Sequence, residues 1–445
     1  MSNAGSTFFA TTSALCVIFI LLVPLAGAGL ALINTGLGRS RSAAQLMMSS
    51  LCVVSVAAIV YFGFGFAFQG YPGNPAHAMA MGGKSWSWLG DGHLFLHHVA
   101  FDGSPKSLAV LLGMFGAGLA ALIPLGAGSD RWRLGACCIS TTLLGGWAYP
   151  LFAHWVWGGG WLAQLGANYG LGQGFVDSGG ASTIQVMGGV TALSIAWILG
   201  PRQGKYAHDG MPSAIPGHNA VLVLFGCLLT LVGWLGLNSA GAIVFNGVEA
   251  GVSVLVAINT ILPAASAALA AALITNARFG KPDASLTANG WVGGLAASSG
   301  ACAFMQPLSA LIIGAVAGIL VTFSVEWFEL HMSADDPGGS ISAHAMGGLW
   351  GVLSVGIFAH VPLRGAEGVS GTIAAHPGQW LAQLVGIATL IGFVLPLTYC
   401  LNWLLNRVYP QRVSAEGERQ GMDLHDLGAG AYPEFLTHSE EFTER

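Results

Sequence analysis

Long apolar runs joined by short polar connections make up most of the chain, and each run is roughly the length that crosses about 30 Å of hydrocarbon as a helix. They lie near residues 8–34, 44–68, 106–128, 134–157, 180–200, 218–239, 249–276, 288–304, 306–328, 340–361 and 378–407. The pattern predicts an all-α membrane protein with eleven transmembrane helices, and an odd number puts the two termini on opposite sides. Residues 1–407 then form one transmembrane domain and residues 408–445 a polar tail. One passage is written twice within this pattern: DSGGASTIQVMGGV at 177–190 and DPGGSISAHAMGGL at 336–349.

Each copy opens the last helix of a five-helix half, so spans one to five and six to ten superpose as halves. Because five is odd, the second half enters the bilayer from the opposite face. The chain is therefore expected to be a five-plus-five inverted repeat with an extra C-terminal helix, an architecture that places a site between the halves near the midplane. Asp177 and Asp336 start their helices, where a carboxylate satisfies free amides and faces the positive end of the dipole. Eight residues on, a helix rise of about 12 Å carries Gln185 and His344 inward to meet. The glycine pairs let the helices approach closely.

Composition agrees with the bilayer reading, since 54% of the residues are hydrophobic and only 8% charged, too few charges to cover a soluble globule of this length. Charge adds orientation. Arg39, Arg41, Arg131, Arg133, Arg202, Lys205, Arg278 and Lys281 fall in alternate connections, with Arg407, Arg412, Arg419 and Arg445 around the tail, whereas the other connections hold only Lys84, Lys106 and Arg364. By the positive-inside rule the N-terminus lies outside and the tail in the cytoplasm of a multi-pass cell-membrane protein. The first span has no cationic leader before it and is too long for a signal-peptide core, so it is expected to be retained. Six of the seven cysteines fall inside apolar runs and Cys302 near the end of one, which suits buried small hydrophobes rather than a disulfide framework.

Candidate chemistry is sparse. A histidine at membrane midplane is costly when charged, so His344 points to a pore or binding role, whereas His154 suits a structural hydrogen bond. Trp155 and Trp161 read as interfacial anchors, and Trp157 as an indole face at a pore mouth able to attract a cation by about 0.5–2 kcal/mol. His93 and His97 in the loop 69–105 have the spacing of a helical metal pair but no third ligand, so no metal site is expected. With no phosphate loop, nucleophile constellation or basic face, the chain is not expected to be an enzyme, to need a cofactor or to bind nucleic acid.

The segments AHWVWGGG, the passage at 177, GWLGLNSAG at 233–241, DDPGGSISAHAMGG at 335–348 and GMDLHDLGAGAY at 421–432 resemble the ammonium transporter (Amt/Mep/Rh) family over residues 8–433. The resemblance implies a homotrimer of eleven-helix protomers, each with a narrow hydrophobic pore for ammonium/ammonia. It assigns Trp157 and Asp177 to the outer substrate site and His344 to the second of two pore histidines. The first histidine falls on Gln185, which cannot accept and pass on a proton as imidazole does. The family's phenylalanine gate falls on Leu237, the serine that receives the ion falls on Gly241, and a second pore phenylalanine is Phe115 by the match of GMF.

Losing a neutral acceptor and an aromatic face costs about 1–1.5 kcal/mol each, so cation recruitment is expected to be ten- to a hundredfold weaker unless other groups replace them. In the tail, the family's His-Gly-Glu element falls on Leu427, Gly428 and Ala429. That change counts against the inter-subunit contacts and the docking of a PII-type regulatory protein that the family otherwise implies. Three functions therefore compete: an ammonium/ammonia transporter with altered affinity or proton coupling, a channel for another small polar solute, and a poorly conducting ammonium sensor. A fused kinase or cyclase domain would favour the sensor, and none is expected from the tail.

Overall fold

The computed structural model describes residues 2–361 and 378–432; Arg364, and residues 433–445 with Arg445, lie outside the described residues. The helices of the bundle are α1 (Thr11–Leu37), α2 (Ser40–Gln69), α3 (Pro105–Gly128), α4 (Leu134–Val156), α5 (Ala181–Leu199), α6 (Ala220–Asn246), α7 (Ala250–Phe279), α8 (Ala284–Ser298), α9 (Pro307–Met332), α10 (Ile341–Phe358) and α11 (Gln379–Val408). Ten of these, among the described residues, are long and apolar enough to cross a membrane. The exception is α8, whose 15 residues rise only about 22 Å. It packs against α7, α9 and α10 and stops at Ser298, where the chain breaks into turns before Pro307. The apolar run read to residue 304 is thus part helix and part buried turn.

Local chemistry sets several boundaries. Ser104 accepts from the Ser107 amide with Pro105 in the first turn of α3, Asn219 accepts from the Leu222 amide at α6, and Asp283 accepts from the Leu286 amide at α8. Each side chain satisfies a first-turn donor that has no partner within its helix. Helix α3 is almost wholly buried, while α11 lies along the outside against α10 and α5. Helices α1 and α6 cross closely, a Cβ at Gly29 meeting the Gly226 carbonyl and one at Gly36 the Asn219 carbonyl.

The bundle has two unlike faces. One carries an antiparallel hairpin, β1 (Ala76–Met81) and β2 (Lys84–Gly90), turned at Gly82 and Gly83 with φ of 58° and 76°, as a two-residue hairpin turn demands. This small sheet, inside the segment read as the loop 69–105, departs from the all-α expectation for the fold. It is fastened to the end of α4 by three bonds: the Trp161 amide donates to the Ser87 carbonyl, Trp155 Nε1 donates to the Trp88 carbonyl, and His154 Nε2 pairs with Ser87 Oγ at 2.9 Å. His154 Nδ1 meets the Gln69 carbonyl at 2.7 Å, so both ring nitrogens serve the scaffold.

The opposite face carries the tail and a buried ion cluster. Arg202 grips Asp335 through Nε and Nη2 at 2.9 and 3.0 Å and reaches Asp130 at 3.0 Å, while Arg131 donates to the Asp335 and Gly200 carbonyls. Burial alone would raise Asp335, but the Arg131 and Arg202 guanidiniums hold its carboxyl down to about 2. In the tail, Asp423 accepts from the Ala44 and Gln45 amides at the start of α2, and Asp426 accepts from the Leu134 amide at the start of α4. Two tail carboxylates thus cap two transmembrane helices of the same chain.

Candidate pore and vestibule

The two copies of the repeated passage meet inside the bundle. Each begins with a glycine of positive φ, Gly180 at 94° and Gly339 at 62°, and then runs as a widened π turn, Ala181–Val186 in one and Ile341–Met346 in the other. In the first, the Gln185 amide donates back five residues to the Gly180 carbonyl. Such widening turns a side chain out of the ordinary helical rows and is common at functional sites. The copies interlock through their glycines: a Cβ at Gly189 would overlap the Ala345 backbone, and one at Gly348 would press on Ala181 and Gln185. Close backbone approach at these two positions brings residues 185 and 344 together.

Gln185 and His344 are both buried, at 0% and 3% exposure, and His344 Nδ1 donates to Gln185 Oε1 at 2.7 Å. An amide oxygen only accepts, so this orientation puts the imidazole proton on Nδ1 and leaves Nε2 with its lone pair. Gln185 Nε2 finds no protein partner. Turning the amide over would reverse the arrangement, with Nε2 donating to Nδ1 and the imidazole proton on Nε2. Either way the pair holds one titratable group, where two facing imidazoles would hold two.

On the hairpin face, a pocket of about 590 Å³ is lined by Trp157, Asp177, Phe245, Asn246 and Glu249 among others. Trp157 Nε1 donates to the Asp177 carbonyl at 2.8 Å. The Asp177 carboxylate turns the other way, accepting the amides of Gly180, Ala181, Ser182 and Thr183 and the hydroxyls of Ser182 and Thr183. Its acceptor capacity is spent on the start of α5, so its contribution to the pocket is through the backbone. The Phe245 ring lies flat on the indole of Trp157, with centroids 4.1 Å apart and 3° between planes. That aromatic was missed in the sequence because the apolar run was ended at residue 239, whereas α6 continues to Asn246.

Leu237, Gly241 and Phe245 recur every four residues and share one face of α6. Leu237 is buried at 1% exposure. Gly241 faces the Ser178 carbonyl so closely that a Cβ would overlap its oxygen; a glycine is required there, and a serine hydroxyl has no room. Phe115 is not brought to this group. It lines a lateral apolar groove of about 710 Å³ with Val23, Met47, Met48 and Leu51, while the neighbouring Gly116 is the residue whose Cβ direction meets Tyr149 and Ile184 in the interior. On a helix one residue is a turn of about 100°, so the one-residue register matters.

In the loop of the hairpin face, residues 94–96 form only a short turn, so His93 and His97 do not share a helix. Among the described residues no group of three His, Cys, Asp or Glu side chains could hold a metal ion.

The sequence matches the Ammonium Transporter Family over residues 14–432. It is 34% identical over 427 residues to ammonium transporter Amt2 of Archaeoglobus fulgidus, covering 94% of this chain and 88% of that protein. It is 31% identical over 417 residues to the ammonium transporter of Bacillus subtilis, covering 94% and 97%. Among solved structures, one described as a sensor Amt protein superposes with a TM-score of 0.84 at 26% identity, over 96% of this chain and 100% of that one. Candida albicans Mep2 shares the fold with a TM-score of 0.76 at 24% identity, over 95% and 90%. With a family match across nearly the whole length and the repeated passage folded as two interlocked segments, the chain belongs to the Ammonium Transporter Family.

Proposed function

We propose that the chain moves ammonium or ammonia across the bilayer through a pore in each protomer of a homotrimer, with a proton balance unlike that of a pore with two histidines. The hairpin face is the outer one and the tail face cytoplasmic, in keeping with Arg39, Arg131, Arg202 and Arg412 all lying on the tail face. The observation that carries the reading is the Gln185–His344 pair: a buried neutral amide bonded to a single imidazole. Glutamine has no protonation state to offer at any ordinary pH, so a proton that reaches His344 cannot be handed to residue 185. Uncharged ammonia, which carries one lone pair and three donors, can still bond to both side chains. The expected activity is ammonia passage with little accompanying charge.

Reconstitution in liposomes tests this. An ammonium gradient should change the internal pH while evoking little current, and Gln185→His should raise the current several-fold at unchanged protein density. Wild-type current equal to that of the Gln185→His variant would overturn the account of the pair. A second reading, an ammonium sensor that conducts poorly, draws support from the superposition on the sensor Amt protein. Absence of any flux from a folded, ammonium-binding protein would favour it.

A further inference from the structure

The recruitment groups expected at Leu237 and Gly241 are missing, yet the vestibule is not without cation-attracting chemistry. Among the described residues its lining holds no lysine or arginine, one exposed histidine, His360, and one exposed carboxylate, Glu249. Among the described residues no hydrogen bond or ion pair engages that carboxylate, in contrast to the fully committed Asp177. Asn246 lines the same pocket, and its Oδ1 is buried with no partner among the described residues. Phe245 stacks on the Trp157 indole, and both rings line the vestibule. All three residues lie within one turn of the end of α6, at or beyond the position one turn past Gly241.

We infer that Phe245, Asn246 and Glu249 form a binding site for a small monovalent cation, ammonium or methylammonium, displaced outward from the family's position. An aromatic face, an amide oxygen and a carboxylate are the partners such a cation takes. Glu249 supplies the attraction, since a carboxylate in a concave wall whose described lining holds no lysine or arginine raises the local cation concentration. Phe245 supplies a π face on which a desolvating cation rests, and its own stacking on Trp157 holds that face in place. Gly241 takes no part: the Ser178 carbonyl fills the space a side chain there would need. Selectivity over the neutral base follows, because ammonia gains little from a carboxylate or a ring face.

The inference rests on the proposed function for its cargo but is read by binding, independently of flux. Full-length protein purified in detergent is titrated with radiolabelled methylammonium, with ammonium chloride as competitor, in wild type, Glu249→Gln and Phe245→Leu. The apparent dissociation constant should rise about five- to tenfold for Glu249→Gln and about three- to tenfold for Phe245→Leu. Variants that bind as the wild type does, or a wild type that binds no methylammonium, overturn the inference. A wild type that binds but shows no flux instead overturns the transport reading and leaves this site standing.

Discussion

The two copies of the repeated passage share a backbone and differ in what they do with charge. In the copy at 177–190 the leading aspartate is saturated: four amides and two hydroxyls converge on it. In the copy at 336–349 the equivalent Asp336 accepts one side-chain bond, from the Ile341 amide at 2.6 Å, and its Oδ1 is buried without a protein partner. The cause is visible in the residues five and six positions on, Ser182 and Thr183 in one and Ile341 and Ser342 in the other. A serine hydroxyl reaches back to the carboxylate where an isoleucine cannot. Burial raises both carboxyls; Ser182, Thr183 and Gly180 oppose this at Asp177, while at Asp336, opposed chiefly by the Ile341 and Ser340 amides, the carboxyl is pushed up to about 6. The same division appears inside the bundle, where the first copy presents Gln185 and the second His344. One copy commits its carboxylate fully to its own helix start and presents a neutral amide, and the other leaves a carboxylate oxygen without a partner among the described residues and presents an imidazole.

The sharpest way to break this comparison is to neutralise each aspartate. Asp177→Asn puts an amide NH2 where several donors converge and should cost about 3 kcal/mol, read as a lower thermal unfolding temperature in detergent. Asp336→Asn should cost no stability at pH 7, and equal losses would refute the distinction. Next in size, Gly189→Ala forces a methyl into the Ala345 backbone and should cost about 1–3 kcal/mol. Its measurable signature is lower stability together with lower flux, because Ala345 adjoins His344; unaltered flux would mean the interlock does not position the pair.

The smallest effect concerns pH. A carboxyl whose folded value, about 6, exceeds its unfolded value of about 4 binds more protons folded than unfolded between those limits. Stability from Asp336 is therefore greatest below pH about 4 and falls as pH rises towards 6. Asp336→Asn should abolish that fall and gain about 1 kcal/mol at pH 7, allowing for the part of the side chain that faces solvent. Unfolding temperatures of both proteins across pH 4–7 check it.

Much of this organisation was legible in the chain because it rests on periodicities that survive without coordinates. The apolar runs, the repeated passage and its glycine pairs locate the spans and the place where the two copies of that passage meet. What sequence could not supply was rotation about a helix axis. Phe115 and Gly116 are neighbours in the chain, yet one lines a lateral groove and the other meets Tyr149. Phe245 lay past the point where the run was cut, although its spacing of four from Gly241 and eight from Leu237 was a usable signal. Gly241 shows another limit: the sequence records a lost hydroxyl, and only the nearness of the Ser178 carbonyl explains why glycine sits there. The hairpin at 76–90 was legible in the Gly82–Gly83 turn but masked by the apolar spans around it.

The caps supplied by Asp423 and Asp426 impose an order on the making of the molecule. Synthesis proceeds from the N-terminus, so α2 and α4 are inserted long before residues 423 and 426 exist. Until then their first-turn amides at Ala44, Gln45 and Leu134 must be satisfied by water. A stretch of the tail made after all the transmembrane helices thus finishes helices that were among the first to enter the membrane. A protein cut short by even a few residues before 423 would carry a full set of spans and still be recognisably incomplete at that face.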